Sequence, residues 1–204
     1  MHARALVFVA LGLLAGPAVA QELEATEAGS GEEQSATTQM LGARLGMEAG
    51  GRVTPGGALL QGSYLYRFTE RDWLEQVVGF TFGGQGASCF RDRADDVICD
   101  HGIFSGFGAE VGVALRHHLA ERGKFAPFLR AGLAVRGSFF SADDLNGISF
   151  PLWLGGGVRA DVVDNMAIVA DASLKTGFGI YGRDLGLEPH AAFSITAGVE
   201  FDLD

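Results

Sequence analysis

The chain has 204 residues, 48% of them hydrophobic and only 20% charged, with 31 glycines. Its one long uncharged stretch, Ala5 to Ala20, sits at the N-terminus, so a polytopic helical membrane protein, with about 20 apolar residues per span, is excluded. A net charge of −10 with two lysines, Lys124 and Lys175, leaves no basic stripe for phosphate, which excludes nucleic acid as a partner.

The first segment, residues 1–20, reads as a signal peptide. Arg4 supplies a positive start, Ala5 to Ala15 an apolar run too short to span, and Ala18-Val19-Ala20 a small-residue cleavage site. Gln21 is expected to begin the mature chain in a compartment that permits disulfides. Residues 21–38 carry five glutamates, no aromatic residue and no apolar periodicity, which predicts a disordered acidic periplasmic leader.

From residue 39 to 204 one signal dominates: apolar residues alternate with polar residues or glycine. The first segment sets Leu41, Ala43, Leu45 and Met47 against Arg44 and Glu48. The second sets Leu60, Tyr64 and Tyr66 against Gln61, Ser63 and Arg67, and the third Val78, Phe80 and Phe82 against Glu75 and Thr81. The fourth, entered at Ile103, places Phe107, Val111, Val113 and Leu115 opposite Glu110 and Arg116. The fifth separates Leu129, Leu133, Val135 and Phe139 from Arg130 and Arg136. The sixth separates Phe150, Leu152 and Leu154 from Trp153, Arg159 and Asp161, and the seventh Ile168 and Leu174 from Asp171 and Lys175. The last separates Phe193, Ile195 and Phe201 from His190, Ser194, Glu200 and Asp202.

No Asp, Glu, Lys or Arg falls on the apolar face of any of these eight segments; the polar exceptions are mainly Gln76, Ser105, Thr176 and His117. Such a division predicts an all-β chain, an eight-stranded antiparallel up-and-down transmembrane β-barrel with hydrocarbon outside and a polar lumen inside. Connections reinforce it. Thr69 to Asp72, Ala120 to Lys124 and Val163 to Asn165 are short, whereas Gly50 to Gly57, Gly84 to His101, Ser141 to Gly147 and Gly179 to Pro189 are long. Short periplasmic turns alternating with longer outer loops are the arrangement of outer-membrane barrels.

The stretches GFGAEVGVALRHHL, FAPFLRAGLAV and PLWLGGGVRADVVDNMAIVADASL resemble the small eight-stranded outer-membrane β-barrel family, the OmpA- and OmpX-type and opacity-like barrels. The resemblance covers about Met40 to Asp204. It implies a Gram-negative outer membrane location after signal-peptide cleavage and outer-membrane lipid as a partner. A monomer is expected, with an unidentified extracellular partner met through the outer loops.

An eight-stranded barrel is just wide enough for side chains to fill it. The polar faces send Arg44, Arg67, Arg116, Arg130, Arg136, Arg159 and Lys175 inward, against Glu48, Glu75, Glu110, Asp161, Asp171, Glu200 and Asp202: seven cations and seven anions. Charges taken from water must be paired and hydrogen-bonded, so a plug of ion pairs is expected. The alternative is a narrow gated pore. Placing Arg67 and Glu75 equidistant from the turn at Thr69 to Asp72 predicts that they face each other in the lumen.

Cys89 and Cys99 both fall in the longest outer loop, and a bridge across nine intervening residues is expected to stabilise by roughly 3 kcal/mol. Asp92, Asp95, Asp96 and Asp100 fit no dedicated calcium cage, so no metal is expected. Neither is a cofactor. His190 and Ser194 share a face but stand roughly 13 Å apart at 3.4 Å per residue, too far for a nucleophile and its base. His117 and His118 point to opposite faces, and His101 is read as a loop histidine. The expectation is a non-enzymatic barrel with a structural or surface-interaction role. Two other readings remain: a lipid-modifying or proteolytic barrel using outer-loop acids such as Asp143, Asp144, Asp184 or Glu188, and a soluble ligand carrier with its apolar face inward.

Overall fold

The computed structural model describes residues 38–119 and 124–203. The expected signal peptide, almost all of the acidic leader, and residues 120–123 lie outside the described residues. Ten strands follow one another: β1 (Gln39–Ala49), β2 (Gly57–Arg67), β3 (Asp72–Phe82), β4 (Cys89–Arg91), β5 (Val97–Cys99), β6 (Phe107–His118), β7 (Phe125–Phe140), β8 (Leu145–Val163), β9 (Met166–Tyr181) and β10 (Gly186–Asp202). Eight of them close a barrel in the order β1-β10-β9-β8-β7-β6-β3-β2, with β4 and β5 set apart as a two-stranded hairpin. All barrel neighbours are antiparallel, and β1 seals the sheet against β10 from Met40 opposite Asp202 to Ala49 opposite Phe193. Closure removes every unpaired strand edge, the condition for a sheet to cross lipid.

Alternation decides the two surfaces. Leu45, Leu154, Leu133, Ile195 and Leu174 stand outward and exposed, whereas Arg44, Arg116, Trp153 and Glu200, on the alternate positions, are buried. A soluble carrier would turn these faces the other way. The apolar exterior is the surface that a bilayer requires.

Three expectations are corrected. Arg67 does not face Glu75: it pairs with Trp73, and Glu75 pairs with Leu65. The turn is tighter than its sequence suggests. Thr69 Oγ1 donates to Asp72 Oδ2 at 2.6 Å and accepts from the Asp72 amide at 3.0 Å. Together with the bond from the Phe68 amide to the Asp72 carbonyl, 3.1 Å, this pulls Phe68 and Asp72 together and advances the register by two residues. Both residues stay on the lumen side, and the Arg67 guanidinium lies 5.6 Å from the Trp73 ring centre.

The loops expected at Ser141 to Gly147 and Gly179 to Pro189 are each shorter, with strand taking 145–147 of the first and 179–181 and 186–189 of the second. Only residues 141–144 and 182–185 connect β7 to β8 and β9 to β10. Strands β7 to β10 are 16, 19, 16 and 17 residues long, against 11 or 12 for the other barrel strands. A tilted span takes about 9–11 residues, and the surplus falls at both ends: β10 runs seven residues, 186–192, past its last partner in β1, whereas β7 runs one residue past β6 at the outer end and three, 125–127, at the other. Finally, the fourth barrel strand begins at Phe107, not Ile103, because Gly106 takes a positive φ of 77° and turns the chain into the loop.

Candidate functional site: the charged lumen and its outer cap

The inward charges do not form one network. Nearer the chain termini, three arginines meet three acids. Arg44 reaches Glu75 at 2.9 Å and Glu200 at 2.7 Å, and Arg116 reaches the same two oxygens at 3.0 and 2.8 Å. Arg130 binds Glu75 at 3.3 Å and Asp171 at 2.8 Å. Thr196 donates to the second Asp171 oxygen at 2.8 Å. Nearer the loops, two cations meet two acids: Lys175 sits 2.8 Å from both Glu48 and Glu110, and Arg136 pairs with Glu48 while also donating to Thr81 at 3.0 Å. Each tier is internally neutral, as a low-dielectric interior requires.

Trp153 separates the tiers. Its buried indole packs with Val77, Ala114 and Ala134, and its ring centre lies 5.3 Å from the Arg130 guanidinium of the lower tier and 5.9 Å from Lys175 of the upper one. Such cation and ring contacts let the apolar layer join the charged ones without stranding either. A third group lies at the periplasmic mouth, where Arg159 holds Asp161 at 2.5 Å and Asp202 at 3.1 Å. There the Asp161 side chain is 49% exposed, while Arg159 Nε also lies 3.6 Å from Glu200 and joins this group to the lower tier. Below the lower tier, Met40, Leu65 and Trp73 form an apolar floor. Alternation alone did not single these out, because the polar face was read for its charges.

The outer end is closed by two loops. Residues 50–56, between β1 and β2, push Val53, Thr54 and Pro55 into buried positions. Arg136 donates to the Pro55 carbonyl at 3.1 Å, and Thr54 Oγ1 accepts from the Ala191 amide at 3.3 Å. Val53 packs with Cys99, Phe140, Leu145 and Tyr181, a cluster formed from both loops and three strand ends.

The second loop, residues 83–106, carries the β4–β5 hairpin, in which Cys89 lies directly opposite Cys99 and is bonded to it. A latch fastens this loop to the β7–β8 turn. Asp143 accepts from the Cys89 amide at 2.8 Å and lies 3.1 Å from His101 Nε2, while His101 Nδ1 lies 3.0 Å from the Arg52 carbonyl. The His101 ring also stacks on Phe140, centres 4.0 Å apart. Burial alone would raise the Asp143 carboxyl, but the Cys89 amide, His101 and the nearby Arg183 outweigh it and hold the group below its ordinary value. This latch was missed at the sequence level: His101 and Asp143 are 42 residues apart, and only the Asp-His-Gly turn at 100–102 hinted at a fixed ring.

The remaining candidates stay apart. Ser105 donates to the His101 carbonyl, not to its ring, so Ser105, His101 and Asp143 are not a nucleophile, base and orienting acid. Cys89, His101 and Asp143 are close enough to share an ion, but the sulfur is in the disulfide. Asp92 caps its own turn by accepting from the Ala94 and Asp96 amides at 2.8 and 3.0 Å. His190 is buried in the lumen, while Ser194 meets Ser173 at 3.0 Å. His118 is buried; His117 is exposed against Asp72 at 2.7 Å.

No protein-family profile and no curated protein matches the chain. Solved structures do. Neisserial surface protein A superposes with a TM-score of 0.60 at 14% identity, over 81% of this chain and 97% of that one. The N-terminal β-barrel domain of Pseudomonas aeruginosa OprF gives 0.52 at 15% identity, over 81% and 98%, and outer membrane protein AlkL 0.50 at 10% identity, over 89% and 95%. The chain therefore has the fold of the small eight-stranded outer-membrane β-barrels, and its apolar exterior places it in that membrane.

Proposed function

We propose that this barrel is a non-enzymatic, non-conducting outer-membrane protein whose lumen is a structural plug and whose loops are its working surface. One observation carries the reading: the lumen is filled by two charge-neutral tiers with Trp153 between them. An arrangement of fully buried, mutually paired ions holds a barrel shut, because opening it would strand a charge in an apolar wall. What remains accessible is the outer crown of the β7–β8 and β9–β10 turns and the disulfide-closed loop. Among its acids, Asp143 is engaged by the Cys89 amide and His101, which supports a role in loop order over one in bond cleavage.

The exposed acids provide the test. Replacing Asp144, Asp184 and Glu188 together by alanine in cells is expected to leave outer-membrane lipid composition and surface-protein cleavage unchanged while altering what is crosslinked to the loops. A lipid or peptide product that disappears with these acids would instead make the barrel an enzyme.

A further inference from the structure

A groove of about 510 Å³ opens at the outer rim of the barrel, between residues 83–86 of the long loop and the top of the β7–β8 hairpin. It lies where β6 stops at Phe107, opposite Phe139, and β7 and β8 run one residue pair further, Phe140 opposite Leu145, before their turn. Its lower lip is aromatic. Phe82, Phe107 and Phe139 occupy outward positions, with ring centres 5.4 and 5.9 Å apart along the row. These rings belong to the same outward face as the apolar belt, so the groove is continuous with the surface that meets lipid. Its upper part is polar: Gln85, Ser141, Asp144 and Asn146 line it, and no lysine or arginine does.

We infer that this groove binds one acyl-chain amphiphile from the outer leaflet, with a head that bears no net negative charge. The chain lies along Phe82, Phe107 and Phe139, where removal from water is favourable. The head meets two side-chain amides, a hydroxyl and the Asp144 carboxylate. An anionic head would meet that carboxylate with no lysine or arginine in the lining to offset it, and the His101 ring, which also lines the groove, is engaged by Asp143. The inference names a ligand for the loop surface proposed above. It rests on the membrane-inserted barrel and is independent of whether the lumen conducts.

Glycine geometry supplies a clean test. A Cβ at Gly84 would have its nearest neighbour, the Phe104 carbonyl, 3.8 Å away, so a side chain can start there without a backbone clash, and Gly84→Phe, in the lining, takes up groove volume. Gly62, outward on β2, has nothing within 4 Å of such a Cβ, so Gly62→Phe is a matched control. The full chain is refolded in phosphatidylcholine vesicles containing a monoacylglycerol with a diazirine in its chain, or the corresponding fatty acid, and irradiated. Folding of every variant is verified by its migration in SDS before and after boiling. Monoacylglycerol label is expected to concentrate several-fold on residues 81–107 and 137–147 relative to the lipid-facing segments of β1 and β9. Gly84→Phe returns it to the belt level, and Gly62→Phe does not. The fatty acid labels the groove only as it labels the belt, until Asp144→Asn, tolerated at the left-handed φ of 55°, admits it. Groove label at belt level in the unmodified protein, or an excess that survives Gly84→Phe, overturns the site. Equal labelling by the fatty acid before Asp144→Asn overturns the assignment of the head.

Discussion

Asp143 is the carboxylate that ties the long loop to the β7–β8 turn. Its oxygens lie against the Cys89 amide and the His101 ring, with Arg183 donating to its backbone carbonyl. Because its folded value is held below that of an unfolded aspartate, about 3.9, it contributes stability above that pH and loses it as the pH falls through the folded value. The Cys89 amide resonance is therefore expected to titrate with a midpoint below about 3.9 and to lose that titration in Asp143→Asn. That substitution should also weaken loop ordering by roughly 1.5–3 kcal/mol, the usual worth of a hydrogen bond to a charged group. A midpoint at or above the ordinary aspartate value would contradict the latch.

At the scale of elements, β8 does the most to organise the lumen, through Trp153. The indole sits between the tiers against Val77, Ala114 and Ala134, and a Cβ on Gly112 would come within 2.7 Å of it. Trp153→Ala is expected to cost about 3–5 kcal/mol, read by urea unfolding in vesicles, and to couple the two tiers. A loss below about 1 kcal/mol would mean that the layer carries little. The strands themselves were largely legible, since lumen and lipid residues alternate without interruption by charge. The outer turns were not. Asn146-Gly147 has the composition of a two-residue hairpin turn, yet the chain reverses earlier, with Asp144 at positive φ, and both residues continue β8. The next outer hairpin hides its turn differently: Arg183 and Asp184 adopt positive φ between Gly182 and Gly186, and with Gly177 and Gly179 nearby the glycines did not mark where the chain reverses. Register at Thr69 was hidden too: it depends on a side chain bonding within its own turn, which spacing does not record.

At the scale of the whole molecule, the sequence told which charges face inward but not how they divide. Arg44 and Glu200 lie 156 residues apart and meet only because β1 closes on β10. Closure also brings the loop at residues 50–56 over the mouth, where Val53 meets strand ends from β7, β8 and β9. Floor, lower tier, Trp153, upper tier and cap then follow one another through the barrel, leaving each charged layer screened by an apolar one. Single-channel recording in planar lipid bilayers tests this most directly. The unmodified barrel is expected to give a flat current, and the double substitution Trp153→Ala with Arg136→Ala, which removes the septum and one member of the upper tier, to give discrete openings. Steady, discrete conductance from the unmodified barrel would contradict a sealed lumen.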